Sequence, residues 1–183
     1  MKSSYSPPRP PNPSKKKAWN PNTLLIVGDS TLNGIQEKRM SSDGSIKVRS
    51  FPGAMVNDFY NYLEPLMEKM PSKLIIHAAT NDAMGKSANE KLSDLTQLND
   101  HIKQRFDITA IISCPTIRID DRNANKVAAD LCFQLNNLGI PVICNKNISE
   151  DCLGKGGHHP GLHLNPKGSG KLALNFISYN RRH

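Results

Sequence analysis

The chain predicts an α/β fold, a three-layer, doubly wound, flavodoxin-like arrangement around a five-stranded parallel sheet. Three observations carry this. Short apolar runs alternate with amphipathic stretches at the spacing of βαβ units. The runs are rich in Ile, Val and Leu and close at Gly, Asn or Pro, as strands covered on both faces do. At 183 residues the chain has the size of one domain, able to bury roughly 70% of the surface its unfolded form exposes.

Residues 1–22 come first and differ from the rest. They hold Lys2, Arg9, Lys15, Lys16 and Lys17 with no acid, and Pro7, Pro8, Pro10, Pro11, Pro13 and Pro21. The net charge is +8; subtracting those five cations leaves only +3 for the remainder. A Pro-rich, basic segment buries too little to offset its ordering entropy, so residues 1–22 are expected to be a disordered tail or linker and residues 23–183 the folded domain. Five cations could also give a weak, salt-dependent nucleic-acid contact, with Trp19 the one nearby ring able to stack on a base.

Strands are expected over residues 23–27, 46–51, 73–78, 110–114 and 141–144. Between them the period changes to three or four residues. Met55, Phe59, Tyr62, Leu63, Leu66 and Met70 align on one helical face, with Pro65 placed to kink it. Ser87 and Glu90 form a capping box ahead of a stripe of Leu92, Leu95, Leu98, Ile102 and Phe106. Val127, Ala128, Leu131, Leu135 and Leu138 make another stripe, stopped by Gly139 where a left-handed cap is expected. Leu172, Leu174, Phe176 and Ile177 suit a closing helix.

Composition narrows the class of function. No apolar run reaches the length of a membrane span, and Met1 to Pro8 lack the apolar core of a secretion signal, so an unexported, intracellular and cytoplasmic protein is expected. Cys114, Cys132, Cys144 and Cys152 show neither C-x-x-C pairs nor Cys/His metal spacing and read as buried, reduced thiols. His158 and His159 lack a third ligand at metal-binding spacing. No metal or other cofactor is expected.

The chemistry-bearing residues lie at strand ends. Leu24 to Val27 run into Gly28-Asp29-Ser30, which sets a hydroxyl at the carboxyl end of the first strand, where open α/β sheets bind ligands. Ser30 could instead be an ordinary helix N-cap. A nucleophilic Ser needs a base, and His163, in the polar loop Gly161-Leu162-His163-Leu164-Asn165, is the best-placed imidazole. Gly53 in Phe51-Pro52-Gly53-Ala54 lets backbone approach a ligand while donating an N–H, and Asn81 in Thr80-Asn81-Asp82 could donate to the same developing negative charge. Asp29 reads as a turn-forming side chain, Asp82 as an anchor of its loop and His77 as a satisfied core histidine. Ile119 to Arg122 read as a turn and helix start.

Gly-Asp-Ser, Gly53, Thr80-Asn81-Asp82 and Gly-Leu-His-Leu-Asn, in this order, resemble the SGNH/GDSL hydrolase family over Asn22 to about Tyr179. The resemblance implies a flavodoxin-like esterase or acyl hydrolase with Ser30 as nucleophile, Gly53, Asn81 and the Ser30 N–H as oxyanion hole, and His163 as base. Val-Gly-Asp-Ser-Thr-Leu-Asn-Gly-Ile, Cys114-Pro115-Thr116-Ile117-Arg118 and Gly-Leu-His-Leu-Asn-Pro-Lys-Gly are similar to SGNH-like domains of animal retroelement polyproteins. Two positions depart from the family pattern. Its third block has Gly where Ala79 stands, and its last block has Asp where Pro160 stands. The missing acid implies a Ser-His dyad of reduced activity, with Glu150 and Asp151 the nearest upstream substitutes, acting on a small ester or acylated substrate. The alternative is a non-catalytic SGNH-fold binding module, a pseudoenzyme whose basic tail contacts nucleic acid.

Overall fold

A computed structural model describes residues 18–83, 86–156 and 160–183. Most of the basic tail, residues 1–17, lies outside the described residues, as do His158 and His159. Strand β1, Leu24–Gly28, lies inside a parallel sheet with β2, Ile46–Ser50, on one side and β3, Lys73–His77, on the other. Beyond β3 lie β4, Ile111–Ser113, and the two-residue β5, Val142–Ile143. The order is β2-β1-β3-β4-β5. Winding runs outward from β1 in one direction and then resumes on its other side, which opens a crevice at the carboxyl ends of β1 and β3.

Alternation along the strands divides the core between two layers. Leu25 and Val27 of β1 face the layer of α2 (Phe59–Met67), α3 (Ala88–Phe106) and α4 (Arg122–Asn137), packing with Phe59, Leu98 and Leu135. Leu24 and Ile26 face the other way, toward Leu32 and toward Leu172 and Phe176 of α5, Pro166–Arg182. The short α1, Glu37–Met40, lies on this second side, with Met40 packed against that cluster. All five residues of β1 are buried, so an apolar run with no polar alternation is what this central position demands.

Helix ends follow their residue chemistry. Ser87 and Glu90 make the reciprocal capping box of α3, with Ser87 Oγ accepting from Glu90 N at 3.3 Å and Glu90 Oε2 accepting from Ser87 N at 2.7 Å. Asp121 caps α4 and Asn165 caps α5, where Pro166 takes the first turn, a position that needs no N–H. The stripe expected from Met55 to Met70 is shorter than its periodicity suggested. α2 ends at Met67, two residues after Pro65, and Met55, Tyr62 and Met70 are exposed. Met70 has a φ of +57°, outside helical backbone.

The last residues of the expected tail are part of the domain. Trp19 donates its N–H to Lys69 O at 3.1 Å and packs against the core, with the Arg49 guanidinium 5.7 Å from its ring centroid.

Candidate active site

In the turn after β1 the hydroxyl of Ser30 does no capping and makes no hydrogen bond among the described residues. Asp29, not Ser30, is the cap of the 3-10 helix Ser30–Gly34, and its Oδ1 accepts from Thr31 N at 2.8 Å. This matches the turn-forming role expected of Asp29 and corrects the N-cap alternative for Ser30. The turn is also bound to both neighbouring strands: Asp29 N donates to His77 O at 3.3 Å, and Ser50 Oγ donates to Asp29 O at 2.8 Å. Ser30 itself is half-buried.

Two further strand ends flank it. Gly53 is exposed with a φ of +80°, left-handed backbone that a side chain would strain, and its own N–H is left outside the sheet ladder. Asn81 Nδ2 donates to Ala54 O at 2.9 Å, which ties the loop after β3 to the loop after β2. The second amide hydrogen of Asn81 is uncommitted by this bond. Asp82, buried, accepts from Val56 N at 3.1 Å and from Lys86 Nζ at 3.3 Å, the loop-anchoring role its position suggested. Arg118 completes the brace, donating to Thr80 O at 3.3 Å while two bonds to Asp120, at 2.8 and 2.6 Å, fix its plane. The sequence marked Arg118 only as part of a motif; its contact with the Asn81 loop spans 38 residues and no local pattern encodes it.

Ala79 sits in this loop with a φ of +72° and is 1% exposed. A non-Gly residue in left-handed backbone costs about 1–2 kcal/mol, so the departure from Gly noted in the sequence is a strained position. Its methyl is packed into the core, which offsets part of that cost.

The base side is built differently. His163 lies on a loop closed by Gly154 N donating to His163 O at 2.7 Å and Gly161 N donating to Gly154 O at 2.8 Å. The loop is carried toward the first strand by α5, whose Ser169 approaches Gly34 so closely that a Cβ there would lie 2.3 Å from Ser169 Oγ. His163 is exposed, and among the described residues its ring makes no hydrogen bond, neither to Ser30 nor to a carboxylate. Pro160 is exposed and has nothing to offer the ring. Asp151 is committed elsewhere: it accepts from Ser149 Oγ at 2.6 Å and pairs with Lys167, which holds its carboxyl well below the usual range.

Under the sheet edge, His77 is buried with Nδ1 2.9 Å from Ser113 Oγ, which also accepts from Asn145 Nδ2 at 3.0 Å. Its Nε2 and Asp29 Oδ2 are buried without a hydrogen-bond partner, so the core histidine is satisfied at one nitrogen only. Burial pushes its pKa below the ordinary value, against the pull of the nearby Asp29 carboxylate. Among the described residues no group of three or more His, Cys, Asp or Glu is arranged to hold a metal ion. A cavity of about 520 Å³ lies between the 30–40 segment and α5, lined by Gly34, Met40, Leu164 and Leu174, but it touches none of Ser30, Gly53, Asn81 or His163. No described helix is long and apolar enough to cross a membrane.

No protein-family model and no curated protein matches the sequence. Solved structures do match the fold. A GDSL-like lipase from Bacteroides thetaiotaomicron superposes with a TM-score of 0.69 at 11% identity, covering 88% of this chain and 89% of that one. A lipase/acylhydrolase from Enterococcus faecalis gives 0.69 at 15% identity over 87% of this chain and 96% of its own. The esterase EstA from Pseudoalteromonas sp., in a structure inhibited by monoethylphosphonate, gives 0.65 at 17% identity over 88% and 97%. The fold is thus the α/β fold of SGNH/GDSL lipases and esterases.

Proposed function

We propose that the chain is a serine esterase or acyl hydrolase of SGNH/GDSL type, acting on a small ester through a Ser30–His163 dyad that lacks the usual acid. The observation that carries this reading is the turn after β1, where Asp29 takes over capping and the Ser30 hydroxyl, beside two donor loops, makes no hydrogen bond among the described residues. His163 takes the Ser30 proton as Oγ attacks the ester carbonyl. The N–H groups of Ser30 and Gly53 and the Asn81 amide donate to the resulting oxyanion. His163 then returns the proton to the departing alkoxide, and water, deprotonated by the same imidazole, releases the acyl group and restores Ser30. No step calls for a metal.

Without a carboxylate on its far nitrogen the imidazole is neither oriented nor stabilised as a cation. In the serine-protease template loss of that acid lowers turnover about ten-thousandfold, while binding and the oxyanion hole leave roughly a thousandfold over water. Slow turnover is therefore the expected signature. The test is hydrolysis of short-chain p-nitrophenyl esters by wild type, Ser30→Ala and His163→Ala, together with labelling by an activated alkylphosphonate of the kind suggested by the inhibited Pseudoalteromonas esterase. Equal rates in all three proteins, or phosphonate found on a residue other than Ser30, would refute the reading.

A second reading, a binding module that keeps the fold without turnover, is favoured by the strained Ala79 and by the His163 ring, which makes no hydrogen bond among the described residues. The retroelement resemblance and the basic tail belong to it. Its test is nucleic-acid affinity over a salt series for the full chain against one beginning at Ala18, which keeps Trp19 in place. Identical affinities and salt slopes would remove the tether.

A further inference from the structure

Three of the four cysteines, far apart in sequence, converge at the carboxyl edge of the sheet away from Ser30. Ser113 is paired with Ile143 across β4 and β5, and Cys114 N donates to Ile143 O at 3.0 Å. The next residues along, Cys114 and Cys144, are therefore neighbours on adjacent parallel strands and project to the same face of the sheet. α4 covers that face and contributes Cys132. The three line one cavity of about 260 Å³, together with Asn125 and Lys146. Cys114 and Cys132 are buried, whereas Cys144 is exposed at the cavity's edge. Cys152, buried and near Asp151 and Ser149, is not part of this group.

We propose that Cys132 and Cys144 form a hydroperoxide-responsive thiol pair, with Cys132 the sulfur that is oxidised first and Cys144 the one that resolves it. The Cys132 sulfur, as thiolate, attacks the terminal peroxide oxygen; the O–O bond breaks, the sulfur loses two electrons to become a sulfenic acid, and the departing alkoxide or hydroxide takes up a proton. The Cys144 thiol then gives up its proton and attacks the sulfenic sulfur. The S–S bond forms, the S–O bond breaks, and the released hydroxide joins that proton as water. In sum two thiols and one hydroperoxide give a disulfide, an alcohol and water.

The surroundings assign the roles. Interaction with the Cys114 thiol, then with Cys144 and the Lys146 ammonium, favours the Cys132 thiolate against the penalty of burial. Cys114 is pushed strongly the other way by Cys132 and by burial, which makes it a proton donor and a poor nucleophile. Burial and the Cys132 sulfur hold the Cys144 thiol up as well, to about 11, but Cys144 lies exposed one residue past β5, where solvent can take its proton as it closes on Cys132.

The experiment treats the folded full-length chain with hydrogen peroxide and maps thiols by peptide mass spectrometry, with dimedone present to trap sulfenic acid. Wild type is expected to lose two hydrogens as an intrachain Cys132–Cys144 disulfide, with Cys132 consumed at least about tenfold faster than Cys152. Cys144→Ser, at an exposed position, is expected to accumulate dimedone on Cys132. Oxidation of Cys132 no faster than that of Cys152, or a disulfide joining other cysteines, would overturn the proposal. Because the wild-type map alone decides between these outcomes, the result does not depend on Cys132→Ser folding.

Discussion

The two halves of the candidate site are held with unequal care. On the donor side, the turns after β1, β2 and β3 are cross-linked: Asp29 to Thr31 and His77, Ser50 to Asp29, Asn81 to Ala54, Asp82 to Val56 and Arg118 to Thr80. On the base side, a small loop closed on itself presents His163 to solvent with no acceptor behind the ring among the described residues. Preorganised donors act without rearranging when charge develops, so on the proposed reading the donor half needs no rearrangement to meet an oxyanion. The base half must find its geometry on each encounter. The contrast locates the deficiency of such an enzyme in proton transfer rather than in oxyanion binding.

Substitutions can break this contrast or sharpen it. The largest effect is expected from Ser30→Ala, which removes the nucleophile and should lower ester turnover at least about a thousandfold. Asn81→Ala, on the preorganised side, should cost on the order of a hundredfold to a thousandfold in kcat. A much smaller loss, measured with the same esters, would mean that the donor half is not used. Pro160→Asp supplies a carboxylate at the position the family pattern reserves for it and should raise kcat by on the order of a hundredfold. No gain in a folded variant would place the deficiency elsewhere.

Two smaller effects concern stability. Burial lowers the pKa of His77, so below about pH 6.5 the unfolded chain takes up a proton that the folded chain refuses. The stability this group contributes is complete above that pH and is lost as pH falls through it. Urea midpoints at pH 7 and pH 5 should therefore differ more for wild type than for His77→Gln. Ala79→Gly relieves left-handed backbone but gives up a buried methyl and loosens the unfolded chain, so a net change within about 1 kcal/mol is expected in the same assay.

Legibility in the sequence followed the range of the interactions. Ser87 and Glu90 were readable as a cap because the box closes over three residues, and Asp29 was readable as a turn residue because its partner Thr31 is two residues away. Ser30, Gly53 and Asn81 stood out because strand ends are punctuated by turn chemistry, and His163 because it is an imidazole in a polar loop ahead of the last helix. The 3-10 segments and the four-residue α1 were not foreseen, since a single turn has no periodicity to detect. The brace from Arg118 to Thr80, the His77–Ser113–Asn145 chain and the convergence of three thiols were equally invisible. Each joins segments far apart in sequence that meet only once the sheet and its helices are assembled.

The near-contact of Gly34 with Ser169 bears on the order of events during synthesis. Ser30 and the proposed donors belong to the first half of the chain and can take shape while the ribosome is still adding residues, whereas the proposed base, His163, takes its place only when α5 settles against the 3-10 helix that follows Ser30. On the proposed reading a nascent chain carries no reactive pair, and a bulky residue at position 34 would keep a finished one in that unarmed condition by holding the last helix off its seat.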